Sequence, residues 1–97
     1  MVGTKVESVT LVGRRWFNKS KGNTYHSCEI FVNGRIAHKI EYAYGYGQQY
    51  EDSAKNWLTT NGYLSDIEKH EPLWSWTKRN NVALVNTVTD VQRKKDL

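Results

Sequence analysis

Thr24-Tyr-His-Ser-Cys-Glu-Ile-Phe-Val32, Asn33-Gly34 and Arg35-Ile-Ala-His-Lys-Ile-Glu-Tyr-Ala43 decide the fold. Two runs rich in β-branched and aromatic residues flank a dipeptide with a strong hairpin preference. Side chains alternate along a strand, so Thr24, His26, Cys28, Ile30 and Val32 share one face of the first run. Ile36, His38, Ile40 and Tyr42 share one face of the second. A two-residue turn would pair even positions with odd ones and mix these faces. A three-residue loop, Val32-Asn33-Gly34, with Gly34 in the left-handed conformation of a bulge, pairs even with even. That loop puts Cys28, Ile30, Val32, Ile36 and Ile40 on a buried side. Tyr25, Ser27, Glu29, Phe31, Arg35, Lys39 and Glu41 then fall on the outer side.

Upstream, residues 4–17 carry Val6, Val9, Leu11, Val12 and Trp16-Phe17 and read as another strand. The turn-rich run Asn18–Asn23 joins it to the hairpin. Downstream, Tyr50, Ala54, Trp57 and Leu58 fall at i, i+4, i+7 and i+8, the stripe of a helix over about 48–60. Glu51 and Asp52 suit its first turns, and Asn61-Gly62 is a stop signal. Ser65 and Glu68 fit a capping box for a short helix around 66–70, ended by Pro72. Leu73 to Lys78 reads as a strand, Asn80-Asn81 as a turn, 82–91 as a last strand and 93–97 as a frayed basic tail. The expected fold is α+β: an antiparallel sheet of three to five strands with one main helix packed on one face, in a single domain over 1–97.

Bulk composition narrows the function classes. The 97 residues are 38% hydrophobic and include 12 aromatics, too many for a disordered chain. No apolar run approaches the ~20 residues that span a bilayer. Met1–Thr4 has no apolar leader, and Cys28 is the lone cysteine, so no internal disulfide or multi-cysteine metal site is expected. A cytoplasmic setting follows as the expectation. Charge is polarised: residues 1–40 hold seven Lys/Arg against two acids, 41–71 two against six, and 72–97 five against two. Such a map can steer an anionic partner to one face, although a mixed solvated surface explains it equally well.

Three groups of residues carry candidate chemistry. Arg14, Arg15, Trp16, Phe17, Lys19, Lys21, Tyr25 and His26 cluster on one hairpin. Cations neutralise phosphates and exposed rings stack on bases, the two ingredients of a nucleic-acid surface. The plainer reading packs Trp16 and Phe17 in the core. Gly45 and Gly47, flanked by Tyr44 and Tyr46, precede the helix and could offer backbone N–H groups to an anion, or simply allow a tight turn. Cys28 with His26 and His38 has the elements of a nucleophilic pair, but buried cysteines are usually inert and no third group orients them. Trp74 and Trp76 are candidate anchors for a protein partner.

Glu29-Ile-Phe-Val-Asn-Gly34 and the helix containing Ala54 resemble the strand-strand-helix half of a double-stranded-RNA-binding domain. Gln48-Gln-Tyr-Glu-Asp52 stands where that family places phosphate-binding lysines, so its function does not transfer. Arg14-Arg-Trp-Phe, Gly22-Asn-Thr-Tyr-His26 and Tyr44-Gly-Tyr-Gly together resemble small bacteriophage-encoded proteins over residues 11–60. That resemblance implies the cytoplasm of an infected bacterium. The expected function is non-enzymatic nucleic-acid binding without metal or cofactor. Capture of a host or defence protein is the alternative, and a small-ligand or nucleotide site at Gly45–Gly47 the third.

Overall fold

The computed structural model describes residues 5–45, 47, 49–64 and 66–97. Its elements run β1 (Ser8–Asn18), β2 (Asn23–Val32), β3 (Arg35–Tyr44), α1 (Gln49–Thr60), α2 (Leu73–Arg79), β4 (Ala83–Val91) and a 3-10 turn, Lys94–Asp96. The sheet order is β3-β2-β1-β4, with β1 antiparallel to β2 and parallel to β4. This is the expected α+β architecture with α1 as its main helix.

The β2–β3 hairpin closes by a route the sequence does not predict. Val32 pairs directly with Arg35, so the turn is the two-residue Asn33-Gly34, with both φ values positive at 53° and 81°. The even-with-even register is nevertheless restored, because β3 carries an extra residue between Ile36 and His38: Phe31 faces Ile36, but Ile30 faces His38 and Cys28 faces Ile40. A second irregularity lies between the Cys28–Ile40 and His26–Ala43 pairs. Ile36 is therefore not in the core, at 57% exposed, and Tyr42 has left the face it was expected to share with Ile40.

The inner face of the sheet holds Val9 and Leu11 from β1 and Cys28 and Ile30 from β2, all fully buried. Helix α1 closes over them with Tyr50, Ala54 and Leu58. Trp57, expected to dock with that stripe, is only half-buried and stacks on His38 at 4.7 Å and on Tyr63 at 5.7 Å.

Residues 73–79 form a helix where a strand was expected. Pro72, extended at φ −69° and ψ 155°, stands as the N-cap of α2 rather than ending a preceding helix. Helical spacing buries Leu73, Trp76 and Thr77 at i, i+3 and i+4 and turns Trp74 outward, 59% exposed. Residues 66–70 are turns and irregular backbone, not the short helix the capping-box pattern implied, and Ser65 lies outside the described residues. The lead into α2 is tied by Arg79, whose guanidinium bonds both Glu71 carboxylate oxygens at 2.8 Å and the Asp66 carbonyl at 2.9 Å. Among the described residues no helix is long and apolar enough to cross a membrane.

Candidate functional site

Alternation along β1 separates the two arginines of the basic hairpin. Arg15 projects on the helix side, where its guanidinium pairs with Asp90 at 2.8 Å and donates to the Gly47 carbonyl at 3.1 Å. Arg14 projects on the opposite, outer face and pairs with Glu29 at 3.0 Å. Each cation is thus partly neutralised within the fold. Arg15 also joins two of the candidate groups. With Phe17, Lys19, Thr24, Gly47 and Asp90 it lines a depression of about 440 Å³. Lys21 lies in the exposed β1–β2 turn, and Tyr46 is outside the described residues.

The outer face carries an aromatic row that runs across three strands. Trp16 on β1 stacks on Tyr25 of β2 at 6.0 Å and 26°. Tyr25 stacks on Tyr42 of β3 at 4.8 Å and 13°. At that separation the two rings stand facing one another instead of lying side by side on the sheet. Tyr44 meets Tyr25 edge-on at 5.6 Å and is 66% exposed. The arrangement exists because Trp16 and Tyr25 are Cα partners and the second β3 irregularity brings Tyr42 to the same side.

The basic tail docks on this row instead of fraying. The Lys94–Asp96 turn brings Lys94 Nζ to 4.8 Å from the Tyr42 ring centroid, a cation–π contact. Lys39, Glu41, Tyr42, Lys94, Lys95 and Leu97 line a second depression of about 620 Å³. The ion pairs among the described residues engage Arg14, Arg15, Arg79 and Arg93. Lys39, Lys94 and Lys95 enter none of them, so the side chains that line the depression beside Tyr42 carry three ammonium groups and the one carboxylate of Glu41.

The remaining candidates have structural occupations. His26 is 1% exposed; its Nδ1 lies 3.3 Å from the Gly45 carbonyl and its Nε2 2.9 Å from Ser53 Oγ. A carbonyl only accepts, so Nδ1–H donates to it. The imidazole thus fastens the Gly45 turn to Ser53 of α1. Gly45 has φ +147°, and a Cβ there would sit 2.7 Å from Gln49 Cβ, so the tight strand-to-helix turn explains this glycine. Cys28 Sγ donates to the Glu29 carbonyl at 3.8 Å, and burial pushes the thiol up to about 12. It is not an activated nucleophile at neutral pH. Trp76 is 3% exposed and belongs to the core, which leaves Trp74 as the one accessible member of that pair. Among the described residues no group of three or more His, Cys, Asp or Glu is placed to hold a metal ion.

Tyr42 and Lys39 were missed as site residues because alternation assigns Tyr42 to the core side and Lys39 to an unremarkable polar one. Only the β3 irregularities bring the tyrosine out beside the lysine. The fold and site together define a small α+β domain with an aromatic, lysine-bordered sheet face. No protein-family model, curated protein or solved structure matches the chain.

Proposed function

We propose that the protein binds single-stranded nucleic acid across the outer face of its sheet. The observation that carries this reading is the Trp16–Tyr25–Tyr42 row bordered by lysines outside any ion pair. Aromatic rings take bases of any sequence by stacking, and ammonium groups neutralise the phosphates between them. The rings of the row already face one another, so a base adds at an end of the stack. One end is Tyr42, where a base displaces the Lys94 ammonium and Lys94 turns to a phosphate. Stacking of this kind requires an unpaired base, which favours a single strand over a duplex. The acidic first turn of α1, with Glu51 and Asp52, gives a duplex backbone no purchase there. The reading keeps Trp16 and Tyr25 from the basic hairpin and moves the phosphate contacts toward Lys39, Lys94 and Lys95.

The test is fluorescence anisotropy of labelled DNA and RNA 12-mers, single-stranded and duplex, titrated in salt. Tyr42→Ala should weaken single-strand binding by about 1–3 kcal/mol, the usual value of one stacked base. Lys94→Ala with Lys95→Ala should lower the salt slope by about 1.4–1.8, as for two lost phosphate contacts. A slope lowered instead by Lys19→Ala with Lys21→Ala would return the site to the β1–β2 turn. Absence of binding at low salt would remove the reading and leave capture of a protein partner, through the same exposed rings, as the one to pursue.

A further inference from the structure

We infer that the free edge of β4 pairs with the β4 edge of a second copy of this chain, antiparallel about a two-fold axis at Thr87. The two edges of the sheet are built differently. Edge strand β3 carries two irregularities and the charged residues Arg35, Lys39 and Glu41, devices that discourage pairing with another strand. Edge strand β4, Ala-Leu-Val-Asn-Thr-Val-Thr-Asp-Val, has no Pro, no Gly and one charge. Its ladder with β1 runs through nine consecutive pairs without a register shift. It is a long, regular, nearly uncharged edge, the type that recruits a further strand.

The backbone selects the register. Ala83 pairs with Ser8, and its N–H donates to the Glu7 carbonyl at 3.1 Å, so Ala83 turns its polar backbone groups toward β1. In a regular ladder these directions alternate, so Leu84, Asn86, Val88 and Asp90 turn theirs to the open edge. An antiparallel copy centred on Thr87 sets Leu84 opposite Asp90 and Asn86 opposite Val88. All four outward residues then exchange N–H and C=O groups with outward residues of the copy, and none is left over. Any other centre leaves at least one of them outside the overlap.

The side chains agree with that register. Thr87 faces its own copy across the axis, and Val85 faces Thr89. The one carboxylate, Asp90, is already paired with Arg15 and meets Leu84 rather than another Asp90. Like charges are therefore never opposed. Val85, 53% exposed, gains cover on the outer face. A two-fold contact closes on itself and uses up the β4 edge of both copies, whereas pairing of β4 with the β3 edge of a neighbour would propagate. The inference does not depend on nucleic-acid binding; either can fail without the other.

The experiment is sedimentation equilibrium of the full chain over micromolar to millimolar concentration, with folding followed by circular dichroism. The wild type should show a reversible monomer–dimer equilibrium. Val85→Lys with Thr89→Lys opposes ammonium groups at two symmetric places and should weaken the dimer by roughly tenfold or more while the monomer stays folded. Val85→Lys with Thr89→Glu opposes unlike charges at the same places and should recover it. Thr87→Cys provides an independent check. Directly opposed non-hydrogen-bonded residues lie about 4.5 Å apart, within disulfide reach, so mild oxidation should give a covalent dimer. A monomer throughout the range, or a dimer indifferent to the double-lysine change, overturns the inference. A dimer that the Lys/Glu pair fails to recover overturns the register.

Discussion

Gly13 lies against the ring of Tyr50: a Cβ built on the glycine would sit 2.7 Å from Tyr50 Cδ2. Tyr50, 3% exposed, reaches across β1 so that its hydroxyl donates to Asn86 Oδ1 at 2.6 Å. The missing side chain in β1 is therefore what lets α1 seat close to the sheet. Gly13→Ala should destabilise by about 1–3 kcal/mol, the usual cost of overpacking, despite the better strand propensity of alanine. Urea unfolding measures it. In a Tyr50→Leu background the cost should shrink, and a cost unchanged there would place the clash elsewhere.

Asn33 does more than turn the hairpin. Its Oδ1 accepts from the backbone N–H groups of Glu7 at 2.7 Å and Ser8 at 3.1 Å, and its Nδ2 donates to the Lys5 carbonyl at 2.8 Å. The residue thus clips the start of β1 to the β2–β3 turn. Asn33→Gly keeps the positive φ and loses these bonds; it should cost about 1–2 kcal/mol, as for a few exposed hydrogen bonds. Amide exchange at Glu7 and Ser8 should accelerate in the variant. Unchanged exchange there would mean that the clip contributes nothing.

The parts of the fold legible in the sequence are those where local pattern and tertiary packing agree. The α1 stripe and the buried pair Cys28 and Ile30 are of this kind. The hairpin shows where legibility ends. Even-with-even pairing could be deduced from the apolar faces, but the extra residue that achieves it could sit in the turn or in the strand. Asn33-Gly34 so favours a two-residue turn that the bulge moved into β3, beside Ala37. Ile36 and Tyr42 were consequently misassigned, and with Tyr42 went one of the three stacked rings of the aromatic row. The segment 73–79 failed for another reason: Trp74-Ser-Trp-Thr77 alternates like a strand over four residues, and four residues fit either period. The docking of the basic tail on Tyr42 is a contact between distant residues that no local pattern encodes.

Ser27 is fully buried on the outer side of β2, and its Oγ has no hydrogen-bond partner among the described residues. An unsatisfied buried hydroxyl costs about 1–3 kcal/mol of desolvation. Ser27→Ala should therefore leave stability unchanged or raise it, by at most a comparable amount. A clear loss of stability in urea would mean that the hydroxyl is bonded in solution, to an ordered water.

Cys28 offers a probe of global unfolding. It is fully buried, and burial first, then the nearby Glu29 and Glu51 carboxylates, hold the thiol well above its ordinary range. A disulfide reagent should react only as fast as the sheet opens, and its rate should rise with urea in parallel with the unfolding transition. Rapid modification in the absence of denaturant would show that the β2–α1 packing opens locally.

Glu71 couples the α2 lead to pH. The Arg79 guanidinium bonded to it holds its carboxyl down at about 2, from an ordinary value of 4.5. The Glu68 N–H at 3.3 Å and the Ser75 hydroxyl at 3.1 Å add to the effect. Arg79 is itself pushed above its ordinary value and stays charged throughout. A carboxyl whose pKa is lower in the folded chain contributes stability that is fully present above 4.5 and is lost as pH falls toward 2. Glu71→Gln removes that contribution at neutral pH and has nothing left to lose in acid. The difference between wild type and variant in urea midpoint should therefore be largest above pH 5 and should close between about pH 4.5 and 2. Near-ultraviolet dichroism, which senses the packing of Trp76 in α2, should follow the same course. A gap of constant size across that interval would show that the Glu71–Arg79 pair acts through packing alone, without the charge.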